Sequence, residues 1–193
     1  VFVSATEGFS QANLNCSISA SLDRLTPVVL AAQDARVRVR GYVSCVTHCP
    51  FDGKTEPDQV AKVVEQLHDI APMPISLGDT IGQATPDDVA AMLKAVLTVS
   101  SPVQLAGHFH DTGGLALSNI EVALEMGLRA FDSSAGGLGG CPYAPGAPGN
   151  VATEAVVSLL HEKGFRTKID EDKLELAAQL ARSLKGRNAV LEN

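Results

Sequence analysis

Two histidines that alternate along a predicted strand are the clearest chemical signal in the sequence. His108 and His110 lie in the run from Gly107 to Thr112. Because the side chains of a strand alternate between its two faces, both imidazoles point to the same side, about 7 Å apart along the backbone. Two imidazoles at that spacing can bind one divalent cation. A pair of hydrogen-bonded core histidines is the competing interpretation.

A glycine-rich segment follows a later predicted strand. It runs from Gly136 to Tyr143, continues to Gly149, and contains Cys141. So many glycines indicate backbone that approaches another group closely or adopts conformations open only to glycine. A thiol at this place can act as acid or base if its pKa is lowered toward neutrality. A surface turn with an incidental cysteine is the alternative.

Three other places have both a chemical and a structural interpretation. Asn150 precedes a predicted helix, so it is either the N-cap of that helix or an oxygen ligand of a hard cation. Asp79 ends a predicted strand, where barrels carry catalytic carboxylates, although Asp is also common in turns. Cys45 and Cys49 flank His48, which suggests zinc, but no second pair of ligands accompanies them, and buried or loop thiols are favoured.

Alternating strands and helices must position these residues. Apolar runs predict strands over Val1–Ala5, Val37–Cys45, Pro74–Asp79, Val103–His110 and Arg129–Ser134. Helical spacing of apolar residues predicts helices over about 17–35, 115–126, 151–163 and 170–185, and two more after Thr55 and Thr85. Each of these threonines offers a hydroxyl cap followed by an early proline. Pro27 should kink the first helix or mark a late start.

Five successive β-α units with strands apolar on both faces indicate a parallel sheet covered by helices. A doubly wound sheet usually carries a glycine loop for nucleotides directly after a strand. Here the polar residues instead follow the carboxyl ends of several strands, which is typical of an α/β fold of the (β/α)8 TIM-barrel type. Residues 1–193 form a single domain by this interpretation.

Composition excludes several classes of function. The chain has 193 residues, 45% of them hydrophobic, and a net charge of -7. An acidic chain has no general field to attract nucleic acid or an anionic membrane. Its apolar stretches are far shorter than the roughly 18 residues of a membrane helix. Its 4 cysteines suit cytosolic thiols better than a disulfide framework.

Four runs and one asparagine carry a resemblance to a known family. They are Arg40 to Cys45, Ser76 to Gly82, His108 to Thr112, Gly137 to Ala144, and Asn150. In order and separation they resemble the 3-hydroxy-3-methylglutaryl-CoA lyase family, over nearly the whole chain. That family belongs to a superfamily of metal-dependent TIM-barrel lyases and Claisen-type synthases.

The resemblance implies a role for nine residues. His108, His110 and Asn150 would be metal ligands, for Mg²⁺ or Mn²⁺, with Zn²⁺ in crystals. Asp79 and Cys141 match catalytic positions, and His108 would also act in proton transfer. Positions that line the acyl pocket are matched by Asn13, Tyr42, Ser76 and Thr80.

The implied reaction cleaves 3-hydroxy-3-methylglutaryl-CoA to acetyl-CoA and acetoacetate, a step of leucine degradation and ketone-body formation. Asp79 or His108 would take the hydroxyl proton, and Cys141 would protonate the enolate. The resemblance further implies an acyl-CoA substrate, no nucleic-acid or membrane partner, and a homodimer. It also implies a location in the bacterial cytoplasm or, in a eukaryote, in the mitochondrial matrix.

One family motif has no match here, an early strand that ends in Arg-Asp-Gly and supplies a further metal ligand. The chain is therefore expected to hold strands 4 to 8 of an eight-stranded barrel, without the N-terminal units, and to show little lyase activity by itself. The open alternatives are a Claisen-condensing acyltransferase, a metal-dependent aldolase, and an inactive barrel fragment. The loop of Cys141 favours the lyase, because the Claisen-condensing acyltransferase and the aldolase lack this cysteine.

Overall fold

Five strands form one parallel sheet. The computed structural model describes residues 1–140 and 149–187, and side chains as far as residue 184. The strands in these ranges are β1 (Phe2–Ser4), β2 (Gly41–Ser44), β3 (His48–Cys49), β4 (Gly53–Lys54), β5 (Ile75–Asp79), β6 (Leu105–Phe109) and β7 (Phe131–Asp132). The parallel sheet has the order β1-β2-β5-β6-β7, and β3 and β4 pair as a separate antiparallel hairpin.

Helices connect the strands and cover the sheet. They are α1 (Glu7–Leu14), α2 (Ile18–Asp34), α3 (Pro57–Ile70), α4 (Pro86–Val96), α5 (Ala116–Glu125), α6 (Thr153–Glu162) and α7 (Glu171–Arg187). From α1 to α7, each helix packs on the next one along the chain. A doubly wound sheet would reverse its strand order at a switch point. The sequential order and consecutive helix packing confirm the α/β barrel type of architecture.

The two faces of the sheet differ in polarity. Ile75, Leu77 and Phe109 belong to the hydrophobic core beneath the helices. On the other face, Tyr42 pairs in register with Ser76, while Gly78 pairs with His108. The expectation of strands apolar on both faces is therefore wrong, because polar side chains fill alternate positions on the inner face.

The predicted strand Val37–Cys45 is shorter in the structure, where it spans Gly41–Ser44, and its first residue, Val37, instead closes α2. Arg36 has a left-handed backbone with φ 56°. The Val37 amide donates to the carbonyl oxygen of Ala32 at 2.8 Å, which closes the helix as a Schellman motif does. Helix α2 begins at Ile18 and contains Pro27, so the predicted late start is wrong.

One of the two predicted hydroxyl caps is present. Thr85 Oγ1 accepts from the Asp88 amide at 3.2 Å, and the Asp88 carboxylate accepts from the Thr85 amide at 3.1 Å. This reciprocal pair is a capping box. Thr55 instead donates to the carbonyl oxygen of Cys45 at 2.7 Å, and α3 has Glu56 at its N-cap. The cap predicted at Thr55 is wrong because its hydroxyl holds the β3–β4 hairpin.

No described helix has both the length and the apolar character needed to cross a membrane.

Candidate active site

A cavity of about 360 Å³ opens among the inner side chains of the sheet, and we call it the inner cavity. The residues that line it come from β1, β2, β5, β6, α1 and the loops after the strands. They are Phe2, Phe9, Asn13, Tyr42, Val43, Ser44, Ser76, Gly78, Thr80, His108, His110 and Gly140. Six of the nine residues predicted for the site therefore meet at this cavity. They are Asn13, Tyr42, Ser76, Thr80, His108 and His110.

Two larger concavities lie elsewhere. One of about 820 Å³ follows the edge of β7, and one of about 710 Å³ lies between the end of α2 and Pro74. Neither is lined by His108 or His110. We take the inner cavity as the candidate site because chemistry, rather than volume, distinguishes a site.

His108, in β6, and His110, just after its carboxyl end, lie side by side. The ring centroids of His108 and His110 are 5.4 Å apart. Burial lowers the pKa of His110, and neighbouring His108 lowers it further, against the opposing effect of a hydrogen bond with Asn150. A neutral imidazole has a free nitrogen lone pair, which is the form that binds metals. His110 is therefore held in a state that can accept a cation.

Asn150 lies beside His110 because the backbone pairs the two residues. It pairs with His110 across an isolated antiparallel bridge, and its Nδ2 donates to the carbonyl oxygen of Leu138 at 3.2 Å. Because Nδ2 is occupied, Oδ1 is left for His110 or a cation. The N-cap of α6 is Ala152, so the interpretation of Asn150 as a helix cap is wrong.

A glycine allows Asn150 to take this position. Gly149 has φ 87°, and a Cβ there would overlap the carbonyl oxygen of Gly139. The carbonyl oxygen of Gly139 accepts a hydrogen bond from the backbone N–H of Asn150 at 3.3 Å. Close approach of two backbone segments is a task that only glycine performs without a clash.

The donor atoms at this place fit a divalent cation. His108 and His110 offer two imidazole nitrogens, and Asn150 offers an amide oxygen. Among residues 1–140 and 149–187, no group of three or more His, Cys, Asp and Glu side chains comes together as a metal site. A cation held by these three residues would therefore keep positions for oxygen ligands such as water or substrate.

Asp79 lies beside the inner cavity without lining it. It is completely buried. Its Oδ1 accepts from the Thr47 hydroxyl at 3.2 Å, and its Oδ2 accepts from the Ala84 amide at 3.1 Å. Burial raises the pKa of this carboxyl despite these hydrogen bonds and the charge of nearby His48. In this arrangement the carboxylate fixes the loop that carries Thr80.

Cys141 lies outside the described residues. Gly140, which precedes it in the sequence, lines the inner cavity.

Cys45 and Cys49 are buried thiols, the interpretation that the sequence favoured over a zinc site. They pack with Phe9 in a small apolar cluster. Burial raises the pKa of Cys45 to about 12, and Cys49 Sγ accepts from the Thr6 hydroxyl at 3.1 Å. A thiol that resists ionisation is a poor metal ligand.

Sequence reasoning missed four residues of this region. Phe2 and Phe9 form an apolar wall of the inner cavity, with ring centroids 6.4 Å apart. Asp132 and Arg40 form an ion pair of 2.8 Å beside His108. A carboxylate inside the predicted strand Arg129–Ser134 was the available indication, because a charge within a buried strand needs a partner.

Comparisons with known proteins identify the family of this chain. The family model described as HMGL-like matches residues 1–181. The hydroxymethylglutaryl-CoA lyase of Pseudomonas mevalonii is 52% identical over 180 residues, which are 93% of this chain and 59% of that protein. The 3-hydroxy-3-isohexenylglutaryl-CoA/hydroxy-methylglutaryl-CoA lyase of Pseudomonas aeruginosa is 48% identical over 97% of this chain and 63% of that protein.

A solved structure gives the same result. The HMG-CoA lyase of Brucella melitensis superimposes with a TM-score of 0.93 at 58% identity, over 95% of this chain and 65% of that one. The chain thus spans less than two thirds of the length of each of these three relatives, 59%, 63% and 65%.

Proposed function

This chain belongs to the HMGL-like family, and on that premise we propose that it carries the metal- and acyl-binding part of a hydroxymethylglutaryl-CoA lyase. The proposed reaction cleaves the bond between C2 and C3 of 3-hydroxy-3-methylglutaryl-CoA. The products are acetoacetate and acetyl-CoA. One observation carries the proposal. The paired imidazoles of His108 and His110 open into the same cavity as Asn13, Tyr42, Ser76 and Thr80.

His108, His110 and Asn150 would hold the divalent cation, for which we propose Mg²⁺ or Mn²⁺. When bound, such an ion supplies Lewis-acid stabilisation of the substrate hydroxyl as it loses its proton. The lowered pKa of His110 supports the assignment, because a neutral imidazole is available to a metal at neutral pH.

The reaction needs two proton movements. The substrate hydroxyl must lose a proton, the C2–C3 bond electrons pass to C2, and the resulting enolate must gain a proton there. We assign the first proton to His108 rather than Asp79, and the single free lone pair of its imidazole would take that proton only when it is not bound to the cation. His108 lines the inner cavity, whereas both oxygens of Asp79 accept hydrogen bonds from Thr47 and Ala84.

Cys141 is the proposed donor of the second proton. In the sequence it follows Gly140, a residue of the cavity lining. A thiol whose pKa is near neutrality is a competent acid for an enolate carbon. Asp79 is a positioning residue in this scheme, because its hydrogen bonds with Thr47 and Ala84 hold the loop that carries Thr80.

Polar and apolar walls of the inner cavity suit the two ends of an acyl group. Asn13, Tyr42, Ser76 and Thr80 offer hydrogen bonds to its oxygens, and Phe2 with Phe9 offers an apolar surface to its alkyl substituent. A homodimer, and a location in the bacterial cytoplasm or mitochondrial matrix, remain predictions from the resemblance.

The test assays two reactions side by side. Acetoacetate release from 3-hydroxy-3-methylglutaryl-CoA reports the lyase, and condensation of acetyl-CoA with a 2-oxo acid reports the acyltransferase alternative. Both are measured with Mg²⁺ and Mn²⁺, on the chain and on a chimera in which it replaces the matching 180 residues of the Pseudomonas mevalonii enzyme.

We expect acetoacetate from the chimera and little from the chain alone. In the chimera, His108→Gln should lower kcat by about 10²–10⁴-fold, the usual contribution of a general base. Condensation without acetoacetate release would support the acyltransferase, and neither product from a folded chimera would support an inactive barrel fragment.

A further inference from the structure

Asp132 contacts His108 across the sheet. The two residues pair in register between β7 and β6, and Asp132 Oδ2 lies 3.3 Å from His108 Nδ1. The side chains keep only 21% and 29% of their accessible surface. Water has little access to a contact shielded to this degree. The contact can therefore fix the orientation of the imidazole.

Two further donors hold the carboxylate in place. Ser76 Oγ donates to Asp132 Oδ2 at 2.5 Å, and Arg40 pairs with Oδ1 at 2.8 Å. Arg40 carries a positive charge and can only donate, so Oδ1 has to be an acceptor, and Oδ2 accepts from Ser76. Both oxygens of Asp132 therefore face donors, as the oxygens of an ionised carboxylate do.

An ionised carboxylate can only accept hydrogen bonds, so Nδ1 of His108 has to be the donor. That assignment leaves the lone pair of His108 on Nε2. We propose that Asp132 is a positioning residue, which holds His108 in the tautomer that presents Nε2 to a cation or to a substrate proton. The value of this tautomer rests on the proposed function. The tautomer itself does not depend on it.

A purely structural role for Asp132 would be to neutralise Arg40. The two oxygens separate these roles, since Oδ1 pairs with Arg40 while Oδ2 serves Ser76 and His108. Asp132→Asn exploits this difference. Arg40 donates only, so it holds the amide oxygen of the new side chain, and the amide NH₂ then faces His108 Nδ1 as a donor. The proton of His108 should move to Nε2.

The experiment measures the tautomer of His108 by ¹⁵N NMR of the histidine-labelled chain at about pH 8, above the ordinary pKa of an imidazole. His108→Gln identifies the signal among the 5 histidines. We expect the Nδ1–H tautomer in the unmodified chain and the Nε2–H tautomer in Asp132→Asn. Arg40→Met should keep the Nδ1–H tautomer. Asp170→Asn, which removes an exposed ion pair with Lys173, should do the same.

Binding of Mn²⁺, titrated by calorimetry, gives a second readout. Asp132→Asn should weaken it by about 10–100-fold, as removal of a partner behind a metal-binding histidine does, whereas Asp170→Asn should leave it unchanged. An Nε2–H tautomer in the unmodified chain, or the same tautomer in Asp132→Asn, would overturn the assignment. Absence of Mn²⁺ binding by the unmodified chain would contradict the metal site of the proposed function, while the tautomer alone still decides the role of Asp132.

Discussion

Asn150 and His110 lie opposite each other across an antiparallel bridge, outside the regular strands of a parallel sheet. The bridge belongs to a short stretch of pairing in which the Asp111 amide donates to the carbonyl oxygen of Gly149 at 2.8 Å and the Val151 amide to that of Phe109 at 3.2 Å. This pairing fastens the end of β6 to the segment before α6. The side-chain amide of Asn150 is therefore held in a fixed position relative to the imidazoles of His108 and His110.

Replacement of Asn150 by Ala should weaken Mn²⁺ binding by more than about tenfold, because even partners behind the ligands contribute that much. Calorimetric titration measures the change. Asn119→Ala is the matched control, since the Asn119 Nδ2 also donates to a backbone carbonyl, that of Ala84 at 2.9 Å, away from the inner cavity. Equal loss of Mn²⁺ binding in both variants would show that the effect is general destabilisation.

Asp79→Asn should change the pH dependence of stability. Burial raises the pKa of Asp79 in the folded chain above its ordinary 3.8. Its contribution to stability is therefore present below about pH 3.8 and lost as the pH rises through the folded pKa. The free energy of unfolding of Asp79→Asn minus that of the unmodified chain should rise over this range, as measured by urea unfolding from about pH 4 to 7. A difference that falls with pH would contradict the raised pKa.

Cys45 should resist alkylation in the folded chain. With its pKa raised to about 12 by burial, about one thiol in 10⁴ is ionised at pH 8, and only the thiolate reacts. Mass spectrometry after iodoacetamide treatment should find the Cys45 peptide unmodified without denaturant and modified in urea. Rapid labelling of Cys45 under native conditions would show that the hairpin opens readily.

Gly82→Ala should destabilise the chain by about 1–3 kcal/mol, the cost of a strained backbone with a close contact. Gly82 has φ 65°, and a Cβ there would lie 2.7 Å from Thr112 Oγ1. Gly53→Ala provides the comparison, because Gly53 has φ 77° with nothing within 4 Å of an added Cβ. Urea unfolding should give the larger loss for Gly82→Ala. Equal losses would mean that Thr112 moves aside.

Local patterns predicted the elements well, and long-range contacts account for the errors. Thr85, Pro86 and Asp88 specify a helix start among themselves, so the sequence was sufficient to predict the capping box. Thr55 is likewise followed by an early proline and by an aspartate three residues later, but its hydroxyl bonds to Cys45, which the hairpin brings close.

The site shows the same division. His108 and His110 were recognisable because one predicted strand contains both, and their spacing alone places them on one face. Asp132 lies 24 residues from His108 in the chain, and only the register of β6 with β7 reveals the contact. Asn150 required the bridge to His110, since in sequence it resembles a helix cap.

The alternation of apolar and polar residues along β5 has an evolutionary consequence. Leu77 faces the helices, and its neighbour Ser76 faces the inner cavity. Adjacent codons thus specify different properties, one the packing of the core and the other the lining of the cavity. A lineage with this sheet can exchange the residues that face the ligand while it inherits the packing unchanged, and new specificities can arise without a new scaffold.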